Sequence, residues 1–291
     1  MKTIEEQLSI IQKIIGNNHN IKIHEDGFIS RGFVIDNGRL VFKFPRNLDV
    51  RYDNEIEILN HLNLLNLGVD LQKVAYSSPT SEYLGLYGVV GTSMEHISLT
   101  DKELKNVGNQ LGVFLRKLHK VTNLKGEICG LQTEIESWQE RVEYVQDFIT
   151  KTFDVNEQKM IHRLMYDYMP QRLKVLGEKL VFSHGDLGDG NVFIDEQYNV
   201  GVIDFNDSGL LDEAADFMDI SSDIVVRAML DSYGANNKLR EKVELRRDIR
   251  PFIVLKPYLT RDNPEVINDI VSKMRYTLKK YQHVLERNIE I

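Results

Sequence analysis

The 291-residue sequence predicts an α+β protein built from two parts. Short β-type runs separated by turn residues dominate residues 1–91, whereas apolar residues at helical spacing dominate residues 92–291. A second group of short apolar runs, rich in glycine and aspartate, interrupts the helical part at residues 180–209. We therefore expect a small antiparallel sheet with one main helix packed on it, followed by a larger, mainly helical part.

Residues 1–91 carry the signals of helices and short strands. Apolar residues recur at helical spacing from Ile4 to Ile15 and over residues 52–65, and Gly68 marks the end of the second helix. The β-type runs lie at residues 21–24, 32–36 and 39–44, near Val74, and at residues 83–90. Asn37-Gly38 predicts a hairpin turn between the second and third runs.

Residues 92–291 show three apolar faces at helical spacing, over residues 104–118, 135–149 and 266–281. Between the second and third faces, two short apolar runs each end beside carboxylates. Strands would hold those carboxylates on a fixed backbone. We expect the chemistry of the protein in this insert.

The composition excludes several classes of function. With 36 Lys and Arg against 44 Asp and Glu, the net charge is −8, which disfavours a nucleic-acid or anionic-membrane binder and favours a cationic ligand. The single cysteine, Cys129, cannot form an internal disulfide, and the histidines show no zinc-ligand spacing. An acidic start, and no apolar run near ~18 residues, predict a cytoplasmic protein with no signal peptide or membrane span. The oligomeric state stays open, with a monomer favoured.

The carboxylates are concentrated in one segment. Residues 180–226 contain eleven Asp and Glu residues and neither Lys nor Arg. Like charges at this density repel each other unless a cation lies among them. The segment is therefore expected to hold a cation.

The order of polar residues in this segment suits phosphoryl transfer. That reaction needs a carboxylate that accepts a bond from the attacking hydroxyl, and oxygen ligands that hold Mg²⁺ against the phosphates. Asp186 stands in the base position after His184-Gly185, and Asn191 and Asp204 supply hard oxygen ligands that favour Mg²⁺ over zinc. One alternative is that the glycines of this segment only build turns, with the aspartates capping them. A transition-metal site on His184 would lack a second histidine or cysteine nearby.

Two segments carry a resemblance to a known family. Phe182-Ser-His-Gly-Asp-Leu-Gly-Asp-Gly-Asn191 and Val202-Ile-Asp-Phe-Asn-Asp-Ser-Gly209 resemble the catalytic signature of the aminoglycoside phosphotransferases, which are antibiotic-resistance kinases. The first segment is more similar to the 3′-phosphotransferases, whereas residues 203–217 and the chain length are more similar to the 2″-phosphotransferases. Asn206 departs from the glycine that is commoner in the family after Phe205.

The resemblance implies a bilobal protein-kinase-like fold. Residues 1–91 would form the nucleotide-binding lobe with the hinge at its end, and residues 92–291 the catalytic and substrate-binding helical lobe. The implied cofactors are two Mg²⁺ ions and ATP or GTP as phosphate donor. In this interpretation Asp186 is the catalytic carboxylate, and Asn191 and Asp204 are the metal ligands.

The resemblance also implies a phosphate site in the first lobe. Lys43 resembles the lysine that binds the ATP phosphates, and Glu55 the helix glutamate that pairs with it, with Glu57 as the alternative partner. Ser30 offers a hydroxyl in a phosphate loop expected at residues 26–32. A solvated strand lysine and a plain turn are the alternatives at these two places.

The nucleobase and the substrate complete the expected site. The base is expected against Val89, Val90 and Gly91, where an edge strand with a glycine turn is the alternative. A cationic aminoglycoside is the expected partner, and the acidic residues expected to bind it are Asp189, Asp207, Asp212 and Glu213. Carboxylates of this kind also cap helices or join internal networks, which is the alternative for each of them.

The expected function is therefore Mg²⁺-dependent transfer of the γ-phosphate of ATP or GTP to an aminoglycoside hydroxyl. Two alternatives remain. The first is a kinase of the same fold that acts on choline, a sugar, an amino acid or a macrolide. The second is a nucleotide-binding regulator without turnover, which the joint presence of Lys43, Asp186, Asn191 and Asp204 disfavours.

Overall fold

The computed structural model describes residues 2–25, 29–47, 49–124, 126–260 and 263–287. The chain forms two units, each assembled from segments that are distant in sequence. The first unit comprises residues 1–126, 184–208 and 220–233, and the second comprises residues 127–183, 209–219 and 234–291. Neither unit has a boundary at residue 91, so the division into lobes at that residue stays a prediction.

The α-helices that the described residues of the first unit form are α1 (Ile4–Ile15), α2 (Asp53–Leu62), α3 (Asp101–Leu118) and α8 (Asp223–Tyr233). Its first sheet has five antiparallel strands: β1 (Ile21–His24), β2 (Ser30–Ile35), β3 (Leu40–Pro45), β5 (Lys73–Ser77) and β6 (Leu84–Tyr87). The strand order is β1-β2-β3-β6-β5. This confirms the predicted antiparallel sheet in the first part of the chain.

Strand β3 shows why the sheet has a buried and a polar face. Leu40, Phe42 and Phe44 are buried and alternate with residues that are less buried, as period-two side-chain alternation requires. Phe33 of β2 and Ile11 of α1 belong to the same core. Lys43 falls between two buried phenylalanines and so projects from the opposite face of the strand.

Residues 36–39 connect β2 to β3 in a short turn. Ile35 pairs with Leu40, and the connecting Asp36, Asn37 and Gly38 have φ of 47°, 58° and 94°. Asparagine and glycine tolerate this left-handed conformation better than most residues. The predicted hairpin at Asn37-Gly38 is therefore confirmed.

Two elements are shorter than the sequence predicts. Helix α2 ends at Leu62 because Asn63 turns its side-chain amide back onto the Leu59 carbonyl, at 2.8 Å. Strand β6 ends at Tyr87 rather than at residue 90, and the chain turns at Gly91, whose φ is 128°. Asparagine and glycine mark both ends, as they commonly do.

A second sheet of the first unit joins distant parts of the chain. It contains β4 (Asp70–Leu71), β7 (Thr92–Ser93), β10 (Val192–Ile194) and β11 (Val200–Val202), in the order β4-β11-β10-β7. Helices α3 and α8 pack closely because Gly108 and Gly112 leave room for the α8 backbone. A Cβ atom on Gly112 would lie 2.2 Å from the Met229 carbonyl oxygen.

The second unit is mainly helical. Its helices are α4 (Leu131–Tyr144), α5 (Gln146–Thr152), α6 (Val155–Arg163), α7 (Met169–Leu176), α9 (Asn237–Thr260) and α10 (Pro264–Arg287). A π-helical turn at Leu164–Tyr168 joins α6 to α7. A small sheet contains β8 (Glu127–Ile128), β9 (Leu180–Ser183) and β12 (Gly209–Asp212), in the order β8-β12-β9. Buried apolar residues of the helices form its core.

No helix within the described ranges combines the length and the apolar character that crossing a lipid bilayer would require.

Candidate active site

Lys43 lies at the centre of the candidate site. Its Nζ is 2.6 Å from Glu55 Oε1 and 2.9 Å from Asp204 Oδ1. Strand β3 positions Lys43, the first turn of α2 positions Glu55, and the segment after β11 positions Asp204. All three residues belong to the first unit. Lys43 pairs with Glu55, the predicted partner, and not with the alternative Glu57.

Burial and charge act against each other in this triad. Burial alone would lower the pKa of Lys43, but Glu55 and Asp204 more than offset it and hold that pKa above its ordinary value. Burial likewise would raise the pKa of Asp204, and the Lys43 ammonium holds it below its usual range. The pKa of the Glu55 carboxyl is raised, by burial first and by the Asp204 charge as well. Lys43 is therefore a fixed cation.

Asp204 adopts an uncommon backbone conformation, with φ of 67°. Its backbone N–H donates to Gln72 Oε1 at 3.2 Å, which helps to hold this conformation in place. Residues kept in sparsely populated conformations cluster at functional sites. The Asp204 side chain keeps 42% of its surface exposed, so one edge of the carboxylate faces solvent although the other is bonded to Lys43.

The loop between β9 and β10 carries Asp186 and Asn191. The side-chain amide of Asn191 donates to the Asp186 carbonyl at 2.8 Å and to Asp186 Oδ2 at 2.9 Å. Gly185 permits the entry into this loop, because a Cβ atom there would lie 2.1 Å from the Asp207 carbonyl oxygen and φ is +86°. The amide of Asn191 thus sets the orientation of the Asp186 carboxylate.

His184 fixes this loop rather than a metal. Its Nε2 lies 2.9 Å from the Ile203 carbonyl oxygen, and its Nδ1 accepts the Asp186 N–H at 3.3 Å. A carbonyl only accepts and an N–H only donates, so the neutral ring with its proton on Nε2 satisfies both partners. The side chain is buried and ties the Asp186 loop to the residue before Asp204.

The donor set suits a hard cation. Because the Asn191 nitrogen is used by Asp186, its Oδ1 is the atom left to act as a ligand, beside an Asp204 carboxylate whose exposed edge offers a second oxygen. Within the described ranges, no three His, Cys, Asp or Glu side chains converge as a metal cluster. Mg²⁺ commonly binds through one or two protein oxygens together with substrate phosphates, so these residues fit it.

A cavity of about 360 Å³ in the first unit brings six of the thirteen predicted site residues together. Its polar lining consists of His24, Ser30, Lys43, Tyr52, Glu55, Asp186, Asp204, Asn206 and Asp207. Residues 26–28 of the predicted phosphate loop lie outside the described residues. Ser30 is described, and its hydroxyl lies 2.8 Å from the Tyr52 hydroxyl.

Tyr52 lines the same cavity but was not among the predicted site residues. It precedes α2 and is 1% exposed, and burial raises the pKa of its hydroxyl to about 12. A neutral tyrosine hydroxyl donates a hydrogen bond at any physiological pH. The only available signal was its position three residues before Glu55, which is one helical turn.

The residues predicted to hold the nucleobase lie elsewhere in the unit. Val89 and Val90 line a different cavity, of about 560 Å³, together with Leu65, Val69 and Leu71 among others. Val89 covers Gly201, where a Cβ atom would lie 1.9 Å from Val89 Cγ1, and Val90 is 75% exposed. The structure therefore does not bring these side chains into the cavity that contains Lys43.

Asp189 and Asp207, the two predicted substrate contacts in the first unit, have different surroundings. Asp207 lines the 360 Å³ cavity, and its Oδ1 accepts from the Asn206 amide at 3.4 Å. Both carboxylate oxygens of Asp189 instead accept hydrogen bonds from Ser221, at 3.1 Å for the backbone N–H. Only Asp207 therefore faces the same space as Lys43.

Asp212 and Glu213 lie in the second unit and are committed to internal ion pairs. Lys242 Nζ is 2.8 Å from Asp212 Oδ2 and 3.4 Å from Glu213 Oε1, and Arg246 is 3.3 Å from Asp212 Oδ1. Burial would raise the pKa of Asp212, but Arg246 and Lys242 hold it below its usual range. With 2% and 9% of their surfaces exposed, these residues form an internal network, and they are left out of the proposed substrate contacts.

The sequence of this chain is similar to those of known phosphotransferases. A model of the phosphotransferase enzyme family matches residues 20–248. An aminoglycoside 3′-phosphotransferase of Acinetobacter baumannii is 50% identical over 44 residues, and that match covers 15% of this chain and only 16% of the relative.

Two solved structures share the fold. The GDP and kanamycin complex of an APH(2″) enzyme has a TM-score of 0.73 at 17% identity, covering 94% of this chain and 98% of that one. The macrolide 2′-phosphotransferase of Brachybacterium faecium has a TM-score of 0.63 at 16% identity, covering 92% and 97%. At these identities the likeness shows the fold alone. The family model matches most of the length of this chain, and the matched residues include Lys43, Asp186, Asn191 and Asp204. The chain therefore belongs to the phosphotransferase enzyme family.

Proposed function

We propose that this protein transfers the γ-phosphate of ATP or GTP to a hydroxyl group of an aminoglycoside. The observation that carries the proposal is the position of Lys43, whose ammonium is bonded to both Glu55 and Asp204 in a cavity that Asp186 also lines. A fixed cation, a carboxylate with an exposed edge and a carboxylate base are the groups that phosphoryl transfer requires. Because the donor nucleotides are cytoplasmic metabolites, we place the reaction in the cytoplasm.

Lys43 and the oxygen ligands would act on the donor nucleotide. Lys43 binds phosphate oxygens through its ammonium, which Glu55 keeps in place. Asn191 Oδ1 and Asp204 would hold Mg²⁺, which when bound neutralises charge on the transferred phosphate. Ser30, oriented by Tyr52, offers a hydroxyl to the same phosphates.

Asp186 would act on the acceptor. Its carboxylate, oriented by the Asn191 amide, accepts a hydrogen bond from the acceptor hydroxyl and aims the oxygen at the phosphorus. The hydroxyl proton passes to Asp186 as the new O–P bond forms, which happens late when the transition state is loose. Residues 184–191 keep this carboxylate in place through short internal hydrogen bonds.

Two observations support an aminoglycoside as the acceptor. Asp207 places a negative charge in the cavity beside Asp186, and the protein carries a net charge of −8, which attracts polycations. The A. baumannii relative acts on aminoglycosides, and the APH(2″) structure holds kanamycin with GDP. Mapping the phosphate on the product distinguishes the 3′ from the 2″ hydroxyl, and parallel reactions with ATP and GTP identify the preferred donor.

One observation favours a second candidate, a less cationic acceptor such as a macrolide. Asp212 and Glu213 are neutralised by Lys242 and Arg246, so two of the four carboxylates expected for a polycation are already paired. A macrolide carries fewer positive charges than an aminoglycoside and needs fewer carboxylates. The B. faecium enzyme shows that the fold also serves macrolide phosphorylation.

The test is nucleoside-diphosphate release by the purified protein with Mg²⁺ and either ATP or GTP. Kanamycin-, gentamicin- and neomycin-type aminoglycosides, a macrolide and choline are the acceptors, and Asp186→Asn is the control. We expect an aminoglycoside to stimulate release and the variant to lower turnover about 10²–10⁴-fold while binding nucleotide normally. Stimulation by the macrolide or choline alone would show that the acceptor is not an aminoglycoside. Equal turnover in wild type and variant would refute the role of Asp186.

A further inference from the structure

Asp189 is held on two sides although it was expected to contact the substrate. Ser221 donates its N–H to Asp189 Oδ1 at 3.1 Å and its hydroxyl to Asp189 Oδ2. The Asp189 carbonyl oxygen accepts from the Ser93 hydroxyl at 3.1 Å. A half-buried carboxylate that accepts a hydrogen bond on each of its oxygens is held to the protein through both of them.

The loop around Asp189 transmits its position to Asp186. Gly188 donates its N–H to the Asp186 carbonyl at 3.0 Å, and Asn191 donates its own to the Gly188 carbonyl at 2.9 Å. The Asn191 side chain closes the loop on Asp186 at 2.8 Å. Any displacement of Asp189 therefore changes the position of the Asp186 carboxylate three residues away.

Ser221 is itself a well-anchored partner. It stands just before α8, whose first turn is capped by Ser222, since Ser222 Oγ accepts the Val225 N–H at 3.4 Å. Helix α8 lies against α3 at backbone contact, because a Cβ atom on Gly108 would lie 2.5 Å from the Val225 carbonyl oxygen. The α3–α8 pair thus provides a rigid base for Ser221.

We propose that Asp189 is a positioning residue, and that the Asp189–Ser221 pair sets the place of the Asp186 carboxylate for phosphoryl transfer. The pair connects the Asp186 loop to the α3–α8 helices within the first unit. A substrate contact would need a carboxylate oxygen turned toward the acceptor, whereas both oxygens of Asp189 are turned toward Ser221. This inference rests on the proposed function for the identity of the reaction.

The first experiment removes the Ser221 hydroxyl. Ser221→Ala should lower kcat roughly 10- to 100-fold, because small displacements of a catalytic group are costly, and should leave KM for the nucleotide within about twofold. Ser221→Thr, which keeps a hydroxyl, should recover most of the kcat. Asp189→Ala should cause a similar loss, and the double variant should be no worse than the more damaging single one. Additive losses, or a normal kcat in Ser221→Ala, would overturn the proposal.

Ser222→Ala is the matched control. It removes the cap of α8 and should lower the melting temperature at least as much as Ser221→Ala, while kcat falls much less than in Ser221→Ala because the Asp189–Ser221 hydrogen bonds remain. If Ser222→Ala lowers kcat as much as Ser221→Ala does, loss of the helix explains both and the proposal fails. If Asp189→Ala raises only KM for the acceptor, Asp189 is a substrate contact instead.

Nucleotide hydrolysis without an acceptor separates this proposal from the choice of acceptor. Water replaces the hydroxyl in that reaction, and Asp186 orients it in the same way. The fall in Ser221→Ala should therefore appear in basal diphosphate release even when no aminoglycoside is a substrate. A wild-type basal rate in Ser221→Ala would refute the proposal, whereas a protein that ignores aminoglycosides refutes only the acceptor.

Discussion

Lys43 Nζ lies 2.9 Å from Asp204 Oδ1, although 161 residues separate the two in the sequence. The contact joins β3 of the first sheet to the segment that follows β11 of the second. Glu55, at 2.6 Å on the same ammonium, is buried and keeps Oε2 without a hydrogen-bond partner among the described residues. The lysine therefore depends on two carboxylates that differ in their access to solvent.

Removing the charge of Glu55 should weaken the nucleotide site without destroying it. In Glu55→Gln, Lys43 keeps Asp204 but loses a charged partner, and hydrogen bonds to charged groups are worth about 1.5–3 kcal/mol. We expect kcat/KM for the nucleotide to fall roughly 10- to 100-fold, measured by diphosphate release at varied ATP. Glu57→Gln is the control, since Glu57 is exposed on the same helix. A fall in Glu57→Gln equal to that in Glu55→Gln would contradict the assignment.

The contact of Val89 with Gly201 predicts a size-exchange effect. In Gly201→Ala the new Cβ would lie 1.9 Å from Val89 Cγ1, and overpacking of this kind costs about 1–3 kcal/mol. Adding Val89→Ala removes the colliding methyl group and should restore most of the free energy of unfolding, measured by urea denaturation. Val89→Ala alone should have the smaller effect. If the double variant is less stable than Gly201→Ala, the two residues do not pack as described.

Lys242 should be a strong determinant of stability in the second unit. Its side chain is 4% exposed and compensates Asp212, whose side chain is 1% exposed. Lys242→Met leaves that carboxylate with the Arg246 guanidinium and the backbone N–H groups of Lys179 and Ala214. Breaking a buried pair costs about 3–5 kcal/mol. Lys273→Met is the control. Its i,i+4 partner Asp269 is exposed, so the loss of unfolding free energy should be about 0.3–0.5 kcal/mol, roughly one tenth of the loss expected for Lys242→Met. Equal losses of unfolding free energy would show that Asp212 is not buried with Lys242.

The His19–Asp36 pair predicts a pH dependence of stability. His19 Nδ1 lies 2.6 Å from Asp36 Oδ2 and its Nε2 lies 3.0 Å from the Ile15 carbonyl oxygen, so both ring nitrogens must carry protons to donate. The bond to Asp36 raises the pKa of His19 above 6.5, and the bond to His19 lowers the pKa of Asp36 below 3.8. Arg39 is the other charged group that faces the pair.

The sign of the effect follows from these directions. Stabilisation by His19 is fully present below about pH 6.5 and is lost as the pH rises through its raised pKa. Stabilisation by Asp36 is lost only as the pH falls through its lowered pKa. The melting temperature of His19→Gln should thus fall furthest below that of the wild type between about pH 4 and 6.5 and converge at higher pH. His283→Gln, on an exposed part of α10, should show no such dependence. A constant difference across this range for His19→Gln would contradict the ion pair.

The fold and the centre of the site followed from local patterns. Alternation in β3 fixes which face Lys43 occupies, and the helical spacing in α2 places Glu55 in its first turn, on the buried face that Ile58, Leu59 and Leu62 share. Both depend on neighbours in sequence, so a pattern can reveal them. The left-handed backbone of Asp204 could not be anticipated in this way, because Gln72, on a distant segment, supports it.

Charge was the less reliable guide. The segment of residues 180–226 has no Lys or Arg of its own, and a cation among its carboxylates was expected to be a ligand. For Asp212 the cations are Lys242 and Arg246 of α9, and for Asp189 the partner is the neutral Ser221. Compensation acts through space, and a count along the chain cannot show which residues the fold brings near.

The second sheet of the first unit also determines when that unit can finish folding. Strand β7 pairs with β10, and β4 pairs with β11. Asp70 of β4 can therefore pair only after Gly201, 131 residues later, has been synthesised. At about 5–20 residues per second, the ribosome needs roughly 7 to 26 s to supply that partner. Until its partner emerges, each of β4 and β7 presents an unpaired strand edge, which is a template for association with other chains. Synthesis that stalls before residue 192 would leave a product in which both strands lack their partners, prone to chaperone capture and aggregation.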